Sequence, residues 1–333
     1  MANDKQDQEL MSKLLQQTVC ANASQASEAA KNFAMAISLP LRQELLAGDI
    51  TYGIFEVEQL APGQTPEYPL DFLAPGTAKD FVAYTNPQHG YIPERTVEGD
   101  YVMVPTYGVA NSIDWLLRYS RDARWNIVER ALDVLRAGFV KKINDDAWHV
   151  LMAAGVDRNF IVWDADANVG QFTKRLVSLM KSVMRRNGGG NSTSMNRGML
   201  TDVFLSPENK EDVRNWGIDI VDDFTRREIF LAEDGAISRI WGVNLVDVDE
   251  FGESQEYQDF FTGSLGGSLA SGDVELLVGL DLRNRDSFVM PMREQVQLFQ
   301  DPTLHRRQRD GYYGWAELGL AALDNRRVCL GSS

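Results

Sequence analysis

The chain has 333 residues and a formal charge of −15, from 33 Lys plus Arg against 48 Asp plus Glu. With 44% hydrophobic and 24% charged residues it carries enough apolar surface for a folded core, which excludes wholesale disorder. So acidic a molecule is not a general binder of nucleic acid or of anionic membranes, both of which require cationic surface.

No apolar run approaches the roughly 18 residues of a membrane-spanning helix, and Met1 to Asp7 lacks the apolar stretch of a signal peptide, so a cytoplasmic origin is expected. Residues 8–47 are rich in Ala, Gln, Leu, Met and Ser and read as weakly amphipathic helix. Leu10, Leu14, Ala21, Phe33, Ile37 and Leu41 are too sparse to anchor that length, so the segment is expected to lie as an arm against another chain. Removing residues 1–40 is then expected to spare the fold. Strands are predicted at Ile54–Glu58, Phe81–Tyr84 and Tyr101–Val104, with Pro and Gly between them. The last two form a long hairpin with its tip near Asn86-Pro87-Gln88-His89-Gly90.

The strongest element follows, over 124–153, where Val128, Leu132, Leu135, Phe139, Ile143, Ala147, Val150 and Leu151 recur at helical steps. Beyond it come a helix over 172–186, a strand at Val203–Leu205, and a helix through Val213 opened by Ser206 as N-cap and Pro207 at the first position. Short strands are predicted at 229–231, 240–248, 275–280 and 287–290. The run Gly263-Ser264-Leu265-Gly266-Gly267-Ser268 reads as a flexible surface loop between them. Two last strands, 294–299 and 313–323, are joined by the basic turn His305-Arg306-Arg307-Gln308-Arg309. The texture is α+β.

Chemical signatures are sparse. Cys20 and Cys329 stand at opposite ends of the chain, so neither a disulfide framework nor a CxxC zinc site can be built. His89, His149 and His305 make no metal-ligand spacing, and no GxSxG, P-loop or GxGxxG occurs. The run Asp164-Ala165-Asp166-Ala167-Asn168-Val169-Gly170 misplaces the glycine of a calcium loop and has Arg175 where a bidentate Glu is required. Asp247, Asp249 and Glu250 offer carboxylates for metal or acid–base work. Solvated acidic edges are the simpler reading. No catalytic, cofactor or metal site is assigned.

A weak arm, a protruding hairpin, a long helix and no active site suit a subunit of an assembly. In that order the elements resemble the major capsid proteins of tailed bacteriophages, with the Hong Kong 97-like fold. Thr225-Arg226-Arg227-Glu228-Ile229-Phe230, Ile240-Trp241-Gly242-Val243 and Gly311-Tyr312-Tyr313-Gly314-Trp315-Ala316-Glu317-Leu318-Gly319 are similar to late segments of those proteins. The resemblance implies an N-terminal arm over 1–50, an E-loop region over 51–110, and a peripheral domain over 111–158 and 288–322 holding the spine helix 124–153. An axial domain over 159–287 and 323–333 completes it. It implies a structural subunit of hexamers and pentamers in an icosahedral head that encloses double-stranded DNA without reading its sequence, with no membrane partner and no cofactor. The expected locations are the virion and, during assembly, the host cytoplasm. Partners expected are further copies, a separate scaffolding protein, a portal and a decoration protein. Phe33, Ile37, Lys79, Asn86, His89, Arg306, Arg307 and Arg309, on arm, hairpin and basic turn, are the expected contacts between subunits. Alternatives are an encapsulin-type shell protein, which shares the fold, and a metal-dependent hydrolase using Asp247, Asp249 and Glu250.

Overall fold

The structure, a computed structural model, describes residues 13, 15, 28–34, 50–69, 101–122, 125–158, 160–168, 170–187, 198–216, 238–270, 273–283 and 287–333. The chain divides into two compact units, one from residues 1–66, 104–146 and 290–320, the other from 67–103, 147–289 and 321–333.

The first unit opens with a helical turn, α1 (Ile50–Ile54), and strand β1 (Glu56–Gln59). The strand predicted from Ile54 therefore starts two residues later. Thr51, Ile54 and Phe55 are all buried, and Phe55 N–H donates to Thr51 O at 2.8 Å, a helical closure of three residues that share one apolar face. Strand β4 (Tyr107–Leu116) is followed by the short helix α2 (Leu117–Arg121) and by α3 (Trp125–Asp157), the long helix. At 33 residues α3 is about 50 Å long. Strand β10 (Phe288–Gln300) runs without a break through both late segments that the sequence separates, bulged between Met292 and Gln297. Pro291 within it reads as a breaker, but a bulged strand tolerates it. A 3₁₀ turn (Pro302–Arg307) leads to β11 (Arg309–Leu318). The sheet order is β1-β10-β11-β4, with β10–β11 and β11–β4 antiparallel.

The core of this unit lies on one face of the sheet. Val128, Leu132, Leu135 and Phe139 of α3 meet Val109, Trp115, Val296, Leu298, Tyr312 and Ala316. Each such side chain contributes about 1.5–3 kcal/mol of burial. Gly138 has a local reason: Asn111 Nδ2 donates to Leu135 O at 3.2 Å, and a Cβ at 138 would occupy its place. Leu15, Phe33 and Ala34 belong to the same core, with the Phe33 ring 5.5 Å from that of Tyr312. The expectation that Phe33 contacts a neighbouring subunit is thereby corrected, because its side chain is fully buried within its own chain. Deleting residues 1–40 would remove Leu15, Phe33 and Ala34 from this core, so the deletion is expected to cost the first unit stability.

The second unit carries β2 (Glu67–Pro69) paired antiparallel with β3 (Tyr101–Met103). The predicted strand Phe81–Tyr84, the hairpin tip and Ile229–Leu231 lie outside the described residues. The main sheet joins β5 (Ile161–Val162), β6 (Asp202–Leu205), β7 (Ser238–Ile240), β8 (Val243–Asp247), β9 (Leu276–Leu280) and β13 (Val328–Ser332) in the order β5-β13-β9-β6-β8-β7. The short β12 (Ala321–Ala322) pairs with the start of β10. Helix α4 (Lys174–Asn187) packs Leu176, Val177, Met180 and Met184 on one face with Val203, Leu205 and Leu277. Phe204 turns to the opposite face, where its ring meets Trp148 of α3 at 4.9 Å.

Helix α5 (Pro207–Asn215) is capped as the sequence predicts, with Ser206 Oγ accepting from Asn209 N–H at 3.0 Å. The Gly/Ser run is not the loose loop expected. A helical turn, α6 (Glu256–Asp259), continues into a wide turn (Phe260–Ser264), and Gly267 N–H donates to Phe261 O at 2.9 Å. A Cβ at Gly267 would run into the Phe261 ring, so that glycine serves close packing.

Candidate assembly surfaces

The 3₁₀ turn is set by its ends. Asp301 accepts from Thr303 N–H at 2.9 Å and from Thr303 Oγ1 at 2.6 Å, and these bonds hold its carboxyl below the usual carboxylate range. At the other end Gln308 adopts a left-handed conformation, φ 54°, which reverses the chain into β11. Arg306 and Arg307 are exposed on this turn. Arg309 instead pairs with Asp114 of β4 at 2.6 Å inside the chain, so it differs from the other two. Ile37, Lys79, Asn86 and His89 lie outside the described residues.

The face of the first sheet away from α3 bears aromatic residues that the sequence reading left unused. Phe299, Tyr313 and Trp315 contact one another, with Phe299 and Trp315 centroids 4.8 Å apart. Trp315 is 39% exposed, and its Nε1–H donates to Glu294 Oε2 at 2.9 Å. The signal was the period of two, since Tyr312, Gly314 and Ala316 alternate with Tyr313 and Trp315 across the pleat. Beside them β4 presents Gly108, Ala110, Ser112, Asp114 and Leu116, in register with Glu317, Trp315, Tyr313, Gly311 and Arg309.

In the second unit the exposed apolar residues among those described include Tyr101 and Met103 of β3, at 65% and 63%, together with Phe160, Trp163, Met199 and Trp241. Phe160 and Trp163 border a cleft of about 240 Å³ with Gly155, Ile161, Phe261 and Leu330. Its lining combines apolar side chains with Ser268 and glycine backbone, and no acid–base pair is among these residues.

The charged groups of this unit are engaged in structure. Asp281 has a fully buried side chain and accepts from Met199 N–H, Arg283 and Arg327, the last at 2.6 Å. Burial alone would raise its pKa, but the bonds from Arg283 and Met199 and the charge of Arg327 overcome this and hold the carboxyl low. Asp324 joins through Arg327, 3.7 Å away, and pairs with Arg326 at 2.7 Å. No sequence pattern betrays this cluster, whose members are 46 residues apart. Glu275 is held by Ser206 Oγ and by Asn209 Nδ2. Burial pushes its carboxyl up, opposed by the Ser206 bond and reinforced by Glu208, Asp212 and Glu253.

Asp247 pairs with Lys210, and Asp164 accepts from Thr173 Oγ1 at 2.7 Å and from Asp166 N–H, which makes it a turn residue. His149 stacks on Phe260 at 3.6 Å between ring centroids. Cys329 is buried, its thiol pushed up to about 12 by desolvation. Among the described residues no group of three or more His, Cys, Asp or Glu is placed to hold a metal ion. Among them no helix is long and apolar enough to cross a membrane.

A half-covered sheet on a long helix, joined by chain crossings to a mixed sheet covered on both faces, defines an α+β fold of the class found in phage heads. Solved phage structures share it across nearly the whole chain. That of Microbacterium phage Oxtober96 matches with a TM-score of 0.56 at 11% identity, over 86% of this chain and 90% of the other. The head structure of Helicobacter pylori bacteriophage KHP40 gives 0.55 at 10% identity, over 84% and 86%. The Cyanophage Pam1 capsid asymmetric unit gives 0.55 at 14% identity, over 84% and 88%. No protein-family model matches the chain, and no curated protein does. The fold expected from the order of elements is therefore present, with sequence likeness too low to carry more than the fold.

Proposed function

We propose that this chain is the major capsid protein of a phage, a non-catalytic subunit that self-assembles into the hexamers and pentamers of an icosahedral head around double-stranded DNA. The observation that carries the reading is the likeness to a phage head and a phage capsid unit over 84% of the chain. In this reading residues 111–158 and 288–322 form the peripheral domain and 159–287 with 323–333 the axial domain. Residues 51–110 supply the E-loop, and Ile37, Lys79, Asn86, His89, Arg306, Arg307 and Arg309 lie at contacts between copies. Scaffolding, portal and decoration proteins are the further partners, and the virion is the destination. A net charge of −15 suits a container that must release its DNA, because an anionic wall does not hold phosphates.

The test is electron microscopy and light scattering on the chain expressed alone and with its neighbouring genes. Closed particles or rings of capsomers are expected. A clean monomer in both preparations would overturn the reading.

A further inference from the structure

The second edge of the first sheet is bare. Strand β4 pairs with β11 on one side, and among the described residues no strand pairs with it on the other. Which of its residues face that side follows from the ladder. Leu117 N–H donates to Gln308 O at 3.0 Å, one step beyond the Leu116–Arg309 register pair, so position 117 is a hydrogen-bonded pair with the β11 side. In an antiparallel ladder such pairs alternate. The odd positions 109, 111, 113 and 115 therefore bond to β11, and Gly108, Ala110, Ser112 and Asp114 turn their N–H and C=O groups outward. Ser112 confirms the phase, because its N–H is taken at 2.9 Å by the side chain of Asn111.

This edge lacks the usual protections. It is ten residues long, paired to β11 in unbroken register, and contains no bulge, no Pro and no Lys. Its single charge, Asp114, is already neutralised by Arg309. On the open face its side chains are small from Gly108 to Asp114, and Leu116 at the strand's end is the one bulky residue, so an approaching backbone meets little obstruction along most of the edge.

We propose that β4 is a docking edge for β4 of a second copy, the two strands pairing antiparallel about a two-fold axis. Phase and charge favour the same strand over a different one. With Ser112 facing Ser112, Ala110 faces Asp114 and Gly108 faces Leu116, so every outward-facing position meets an outward-facing position. Each Asp114 then lies opposite an alanine and away from its counterpart, and no like charges are opposed. The contact is isologous and closes on itself. Ser112 exchanges its Asn111 acceptor for a main-chain carbonyl, and the low side chains of Ala110 and Ser112 leave Tyr313 and Trp315 bordering the new strand. The proposal names one contact for the shell reading and requires only a second copy.

Residue-resolved hydrogen exchange on monomer and on associated protein tests it. The amides of Ala110, Ser112 and Asp114 should slow by more than about tenfold on association, since a bonded amide must open before it exchanges. Those of Val109, Asn111 and Ile113 should be protected in both states. In a Cys20→Ser background, Ser112→Cys should give a disulfide-linked dimer on oxidation. Ala110→Pro removes an outward N–H and no ladder bond, so it should keep the monomer's circular dichroism and abolish both effects. Should that variant fail to fold, Ser112→Lys keeps the backbone and sets two lysines opposite each other across the axis, where like charges block the edge.

Particles or dimers in which these amides exchange as fast as in the monomer, or in which Ser112→Cys does not cross-link, would overturn the edge and leave the shell reading standing. Protection that arises only with a different protein would replace the second copy as occupant. A chain that stays monomeric in every preparation would overturn both readings.

Discussion

The two sheets differ in how they are covered. In the second unit β9 is buried at every position, because α4 lies on one face and Trp148 with Phe251 on the other. Among the described residues the first sheet is covered once, by α3 and residues of the arm, and its aromatic face and the edge of β4 have no cover. A sheet with two covers completes its core within the chain. A sheet with one cover holds together on half the burial and leaves apolar surface and backbone groups available to a partner, as the proposed shell subunit requires.

The sharpest way to break this contrast is to remove the single cover. Leu135→Asp places a charge in the core beneath the first sheet and should abolish cooperative folding of that unit, as near-ultraviolet circular dichroism and urea titration would report. In the second unit Asp281→Asn leaves Arg283 and Arg327 without their buried counter-charge. A loss of about 3–5 kcal/mol is expected in denaturant melts, with the first sheet's aromatic signal retained up to the transition. Ser206→Ala removes both the cap of α5 and a hydrogen-bond partner of Glu275, for a loss of about 1–2 kcal/mol by the same assay.

Two buried carboxyls of the second unit, Glu275 and Asp281, sharpen the comparison through pH. Glu275 has a folded-state pKa above its unfolded value of about 4.3, so the folded state binds the extra proton and stability falls as pH rises through that window. Asp281 has the opposite sign. Its pKa is lowered, so its contribution is present above about pH 3.9 and lost as pH falls through the folded value. Glu275→Gln should flatten the decline on the neutral side and leave the acid limb unchanged in thermal melts taken across pH. The smallest effect belongs to the first unit. Tyr312 buries a hydroxyl that has no hydrogen-bond partner among the described residues, so Tyr312→Phe should leave stability unchanged or raise it by up to about 1 kcal/mol.

Legibility followed the range of the interactions. Helix α3 was readable because Val128, Leu132, Leu135, Phe139 and Ile143 repeat at a local period, and its observed end at Asp157 lies only four residues past the expected one. The cap at Ser206 was readable because it needs only its neighbours Pro207 and Asn209. Strand β4 went unread although Val109, Asn111, Ile113 and Trp115 alternate. Asn111 interrupts the apolar row, and only the carbonyl of Leu135 explains an amide there. Phe33 read as a stray residue on a sparse arm until Tyr312, distant in the chain, supplied its partner. The glycines 263–267 suggested slack, whereas the Phe261 ring makes Gly267 a packing residue.

By itself the sequence determined the α+β class, the long helix, the order of elements that resembles phage capsid proteins and the absence of any known catalytic motif, because periodicity, capping and motif spacing are local properties of the chain. Only the tertiary structure decided which sheet face is covered, which arginines are engaged and which strand edge stays open. Those outcomes depend on pairings such as Arg327 with Asp281 and β11 with β4, made between residues far apart in the chain, and no local pattern encodes them.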